Sequence, residues 1–240
     1  MKVEIWSDYV CPWCYIGKRR FEAALNQFEG REEVEVVYRS FELNPDADRD
    51  GNPGVVDMLA QKYGMSREQA AERVRMVTEI AREEGLEYRM DRAVQTNTFD
   101  AHRLAHFAAA RGRLGDMAER LLKAHFSDSL HLGNREVLAD LAAEVGLDRA
   151  EALEALESGA FAEEVRRDER EAALIGVRGV PFFVFNRKYA VSGAQPADVF
   201  ARVLRQAWSE ERPLKVIAGG EAGDAGACGA EGCEIPGKKE

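Results

Sequence analysis

Two of the four cysteines, Cys11 and Cys14, stand with two residues between them in "CPWCYIG" near the start of the chain. Such a pair can clip a metal, staple two segments, or open and close as a dithiol. The surrounding pattern favours the last. "KVEIW" alternates with period two, as a half-buried strand does. From Pro12 onward Tyr15, Phe21, Ala24, Leu25 and Phe28 recur at helical spacing, and Gly30 provides a stop. Cys11 therefore falls at the helix N-cap, with Pro12 at the first helical position, where a missing N–H costs nothing. Unpaired backbone N–H groups and the positive end of the helix dipole favour a thiolate there. Cys14, one turn on, is near enough to close a disulfide yet shielded by its own helix. The expected division of labour is attack by Cys11 and resolution by Cys14.

The other two cysteines, Cys228 and Cys233, form a second close pair in "ACGAEGCEIPG", with no cysteine between the two pairs. Four thiols satisfy a zinc site by count, but the great separation and the composition of the second segment argue against one, and no metal is expected. Cys228 and Cys233 are expected to exchange electrons with the first pair, because a tethered thiol has a raised local concentration. Asp8, three residues before Cys11, is placed either to satisfy backbone donors or to relay a proton to Cys14. His102 and His106 share a helix face at i, i+4, which is also metal-ligand spacing. Without an accompanying carboxylate motif they are read as satisfied helix residues or groove lining. His125 and His131 carry no signal of their own.

The elements that must position these residues follow in order. A second alternating stretch, "EVEVVYRSFEL", completes strand, helix and strand, so the first two strands should lie parallel. From about residue 55 to 175 the chain reads as helical throughout, with Ser66 and Gln69 spaced as a capping box. Strand character returns in "VPFFVFNRKYAVSG" as a hairpin about Asn186-Arg187-Lys188. "QPADVFARVLRQAW" then makes an amphipathic helix, and the Gly- and Ala-rich end reads as a flexible tail.

The whole chain has 240 residues, 45% apolar and 32% charged, with a formal net charge of −10. That balance disfavours nucleic acid and anionic membranes as partners, and no apolar run is long enough to span a bilayer. The N-terminus lacks the apolar stretch of a secretory signal, and two close cysteine pairs suit a reducing compartment, so a cytoplasmic location is expected.

Taken together, "WSDYVCPWCYIG", "NTFDAHRLAHFA", "GVRGVPFFVFN" and "SGAQPADVF" resemble the DsbA-like thioredoxin-fold family, and within it the FrnE-type branch, over roughly residues 1–215. The resemblance implies an α/β thioredoxin fold with a large all-helical insertion. Residues 1–44 and 176–217 would form the thioredoxin-like part, 55–175 the insertion and 218–240 a flexible Cys-containing tail. It implies a cis bond at Val180-Pro181 opposite the cysteines, leaving the Val180 backbone free to pair with an extended substrate. Pro12 and Trp13 would line the same site, Trp13 either offering an apolar surface to clients or covering core. The implied activity is thiol–disulfide oxidoreduction or disulfide isomerisation on unfolded or disulfide-containing proteins, with some chaperone activity. No cofactor is implied beyond a thiol reductant such as glutathione or thioredoxin, and the protein would be a monomer or homodimer. Two alternatives stand beside this. One is a glutathione-dependent enzyme of the kappa-class transferase or hydroxychromene-carboxylate isomerase type, although those relatives carry serine at the nucleophile position and lack the second cysteine. The other is a non-enzymatic chaperone or metal-binding protein.

Overall fold

The structure, a computed structural model, describes residues 1–51 and 54–211. Cys228 and Cys233 lie outside the described residues. The chain runs β1 (Lys2–Ser7), α1 (Pro12–Asn26) and β2 (Glu35–Ser40). Seven helices follow: α2 (Val55–Tyr63), α3 (Arg67–Glu83), α4 (Phe99–Ala109), α5 (Leu114–Phe126), α6 (Arg135–Glu144), α7 (Arg149–Glu157) and α8 (Ala162–Leu174). The hairpin β3 (Phe182–Phe185) and β4 (Tyr189–Ser192) and the helix α9 (Ala197–Glu211) complete it.

The strands form one sheet in the order β2-β1-β3-β4. β1 and β2 are parallel, paired from Lys2 with Glu35 to Ser7 with Ser40, while β3 runs antiparallel to both β1 and β4. Period-two alternation decides what each face carries. Val3 and Ile5 join Phe21, Phe183, Phe185, Phe200 and Leu204 in a core shared with α1 and α9. The Phe21 ring meets those of Phe183, Phe185 and Phe200 at 5.6, 6.2 and 5.8 Å. On the opposite face Trp6 and Val184 pack on Ala172 of α8.

That second face also buries charge. Glu4 is 2% exposed and is held by Arg39 and Arg187. Asp168 of α8 is fully buried, accepting from the Ser40 N–H at 3.0 Å and from Arg39 at 3.0 Å. Burial would raise the Asp168 carboxyl, but His106, the Ser40 N–H and Arg39 outweigh it and hold it below its ordinary value. The backbone carbonyl of Asp168 accepts from the Trp6 indole at 3.0 Å, so α8 is fastened to the sheet on both its side chain and its backbone.

Three of the helices start at a residue whose side chain caps them. Ser66 and Gln69 form the capping box at the head of α3, and Asn134 and Asp148 cap α6 and α7. The largest core does not stay inside the helical block. It runs from Leu104, Leu121 and Leu138 to Cys14, Tyr15 and Ile16 of α1. An ion cluster strengthens that joint: Lys18 and Arg19 of α1 engage Glu119 of α5, and Tyr15 donates to the same carboxylate at 2.6 Å.

Candidate functional site

Cys11 is the N-cap of α1, extended at φ −91° and ψ 112°, with Pro12 in the first turn. Its side chain makes no capping hydrogen bond, so the helix-end N–H field acts on the sulfur without the sulfur being tied to it. Both thiols are free, and both residues are buried, Cys11 at 4% and Cys14 at 2% exposure. Cys11 thus lies in a groove wall rather than on a free surface. Cys11 belongs to the same buried cluster as Leu86, Tyr88 and Met90 of the helical block.

Cys14 sits deeper. The Asp8 N–H donates to its sulfur at 3.4 Å. Burial, with the neighbouring Cys11 sulfur adding to it, pushes the Cys14 thiol well above its ordinary value. In this reduced state Cys14 is held as a neutral thiol beneath Cys11. Asp8 itself is fully buried. One carboxylate oxygen accepts from the Leu43 N–H at 2.8 Å, and the other lies 3.4 Å from His102 Nε2. It thus satisfies a backbone donor, and its second oxygen faces a histidine one layer below the dithiol. The His102 ring packs at 4.8 Å from that of Tyr9. His106, the other half of the i, i+4 pair, is spent on Asp168 and on the Ser40 hydroxyl, each at 3.1 Å. Among the described residues no group of three or more His, Cys, Asp or Glu is arranged to hold a metal ion.

Val180 and Pro181 meet the dithiol from the other side. The Val180–Pro181 peptide bond is cis, and the Cys11 thiol lies 3.6 Å from the Val180 carbonyl. Two contacts that sequence reading misses hold this arrangement. Gly17 faces Pro181 so closely that an added Cβ would come within 2.9 Å of the ring. A glycine in mid-helix one turn past Cys14 is the signal that marks it. From the helical block, Tyr88 donates its hydroxyl to the Pro12 carbonyl at 2.7 Å and stacks on Phe126 at 4.6 Å.

The site opens into a groove of about 640 Å³ between α1, α2, α3 and the Val180 loop. Cys11, Pro12, Trp13 and Val180 line it together with Met58 and Met76. Trp13, 39% exposed, stands at its rim. Of the residues singled out in the sequence, the fold thus gathers Cys11, Pro12, Trp13 and Val180 on one groove, with Cys14 and Pro181 packed behind. His106, His125 and His131 are not part of it.

A βαβ start, a four-stranded mixed sheet, paired thiols at a helix N-terminus and a facing proline loop have a counterpart in known proteins. Residues 2–205 match the model of the DSBA-like thioredoxin domain. The chain belongs to the DSBA-like thioredoxin domain family. This is a family of thiol oxidoreductases and isomerases. Among solved structures, a probable DsbA oxidoreductase from Streptomyces coelicolor is 49% identical, with a TM-score of 0.84 covering 99% of this chain and all of that one. The uncharacterized protein YwbO of Bacillus subtilis is 28% identical over 205 residues, 84% of this chain and 94% of its own length. The cytosolic disulfide reductase DsbM of Pseudomonas aeruginosa, at 21% identity and a TM-score of 0.61, covers 87% of this chain and all of its own and shares the DsbA-like fold. No helix among the described residues is long and apolar enough to cross a membrane.

Proposed function

We propose that this member of the family is a dithiol oxidoreductase and disulfide isomerase acting on protein clients, with Cys11 as nucleophile and Cys14 as resolving thiol. One observation carries the reading: Cys11 stands at the N-cap of α1 in the wall of a largely apolar groove while Cys14 waits, protonated, behind it. The Cys11 thiolate attacks one sulfur of a client disulfide, forming a Cys11–client bond and releasing the other client sulfur as a thiolate that takes up a proton. Cys14 then loses its proton and attacks Cys11, which closes the Cys11–Cys14 disulfide and frees the second client thiol. The client gains two electrons and two protons, and the dithiol supplies them. A thiol reductant such as glutathione or thioredoxin returns the enzyme to its starting state. In isomerisation the client's own thiol displaces Cys11 instead, and no net electrons move.

The groove also supports holding unfolded clients, since it presents apolar side chains without a chemical demand on sequence. Cys228 and Cys233 enter the same proposal as a second redox pair exchanging with Cys11 and Cys14, in a cytoplasmic setting. The test is equilibration of the full chain in graded glutathione buffers, alkylated and read by mass at each cysteine pair. A two-electron couple at Cys11–Cys14 supports the dithiol mechanism. A potential near about −180 mV favours isomerisation and oxidation, one near about −270 mV reduction. A stable glutathione adduct on Cys11 alone overturns the reading in favour of a glutathione-dependent enzyme.

A further inference from the structure

The groove beside Cys11 has a charge pattern opposite to that of the whole molecule. The chain carries 43 acidic residues against 33 lysines and arginines, yet no aspartate or glutamate lines the groove, while Lys62, Arg73 and Arg178 do. All three are exposed, and none has an ion-pair partner among the described residues. The contrast along α3 is direct. Arg67, Arg75 and Arg82 are bridged to Asp57, Glu72 and Glu79, whereas Arg73, the arginine of that helix that lines the groove, is left open. Between these cations lies apolar surface. Trp13, Leu43, Tyr63 and Met76 line the groove and make up four of the six large exposed hydrophobic residues of the described chain.

Unpaired cations on a concave, partly apolar wall focus a positive potential where an incoming segment must lie. Resting on the dithiol reading above, we propose that the groove selects client segments whose cysteine is flanked by carboxylates and by at least one large apolar side chain. The carboxylates meet Lys62, Arg73 and Arg178, the apolar side chain packs between Trp13 and Met76, and the client sulfur is delivered to Cys11. Client segments rich in lysine and arginine are turned away by the same three charges, which supplies discrimination that the apolar lining alone lacks.

The tail of the same chain competes for this role, because Glu221, Asp224, Glu231 and Glu234 surround Cys228 and Cys233 with no basic residue between them. The experiment therefore uses the full chain and reads both occupants. Matched peptides bearing one disulfide, flanked by glutamate, glutamine or lysine, are reduced by the wild type at low salt. Each rate is normalised to that of the same peptide with dithiothreitol, which removes intrinsic thiol reactivity. The expected order is glutamate over glutamine over lysine. The extremes should differ about tenfold, as three exposed charge pairs would give, and the gap should shrink at about 0.5 M salt. The triple variant Lys62→Glu, Arg73→Glu, Arg178→Glu should invert the order. Equal normalised rates for the three peptides, or an order that ignores the charge reversal, overturns the proposal while leaving the dithiol reading intact. Failure to reduce any peptide or a small disulfide overturns the dithiol reading instead. In Cys14→Ser, a trapped adduct of Cys11 with the glutamate peptide supports an external client. An adduct with Cys228 or Cys233 that excludes the peptide makes the tail the occupant and overturns it.

Discussion

At the level of single side chains, the two sulfurs differ because their surroundings do. Cys11 faces a groove and the end of a helix, while Cys14 is enclosed and kept protonated. Replacing them should therefore give different failures. Cys11→Ser should remove essentially all disulfide exchange, whereas Cys14→Ser should still attack and then stall, accumulating a Cys11–client adduct visible by mass on non-reducing gels. His125 offers a second contrast. It is fully buried, both ring nitrogens lack a hydrogen-bond partner among the described residues, and its ring meets Phe126 edge-on at 4.6 Å. Burial lowers it from 6.5 to about 4, against the pull of the Asp8 charge. The unfolded chain protonates this histidine below about pH 6.5 while the folded chain refuses the proton until about pH 4, so folding stability must fall as pH drops through that window. In full, that difference corresponds to about 3 kcal/mol. His125→Leu should flatten the pH dependence of urea unfolding between pH 6.5 and 4 while leaving exchange at neutral pH in place.

Among the elements, α1 and the Val180 loop must keep a fixed distance, and Gly17 sets it. Gly17→Ala places a methyl against Pro181, so either the loop or the helix must give way. We expect a loss of about 1–3 kcal/mol in stability, typical of overpacking, and slower reduction of protein disulfides than of a small linear disulfide such as oxidised glutathione. Comparing the two substrates in one assay separates a displaced loop from a damaged dithiol. Helix α8 depends on a different device. Asp168→Ala would strip the Ser40 N–H and His106 of their buried carboxylate partner and leave Arg39 with Glu4 alone. Removing one side of such a buried network costs about 3–5 kcal/mol, to be read as a shift of the denaturant midpoint with an unchanged slope.

For the molecule as a whole, one core joins Cys14, Tyr15 and Ile16 to the helical block, so the block and the sheet should unfold together. Far-ultraviolet circular dichroism and tryptophan emission should give coincident urea transitions; a resolved early loss of helix would contradict this. How much of the arrangement can be read from sequence depends on how local each cause is. The dithiol helix announces itself through Pro12 after Cys11 and the apolar spacing beyond. The caps at Ser66, Asn134 and Asp148 mark helix starts just as plainly, because each bonds within three residues. Asp168 is hidden, since "VRRDEREAAL" reads as a solvated helix face, and only the sheet folding over it turns that aspartate into a buried anchor. The groove is hidden for the same reason: Leu43, Met58, Met76 and Arg178 are scattered along the chain and meet only once the helices have packed.

The three tryptophans are placed so unequally that the protein carries its own optical gauge. Trp6 is sealed in the sheet with its indole bonded to the Asp168 carbonyl, and Trp208 leans edge-on against Phe28 at 5.5 Å. Trp13 alone stands at the rim, next to Cys14 in sequence and two residues from Cys11. Disulfide closure quenches a neighbouring indole, and a peptide laid across it shifts its emission to the blue. Thiol state and groove occupancy can thus be followed in real time as two separable colours and intensities of a single native fluorophore, with Trp6 and Trp208 as the steady background.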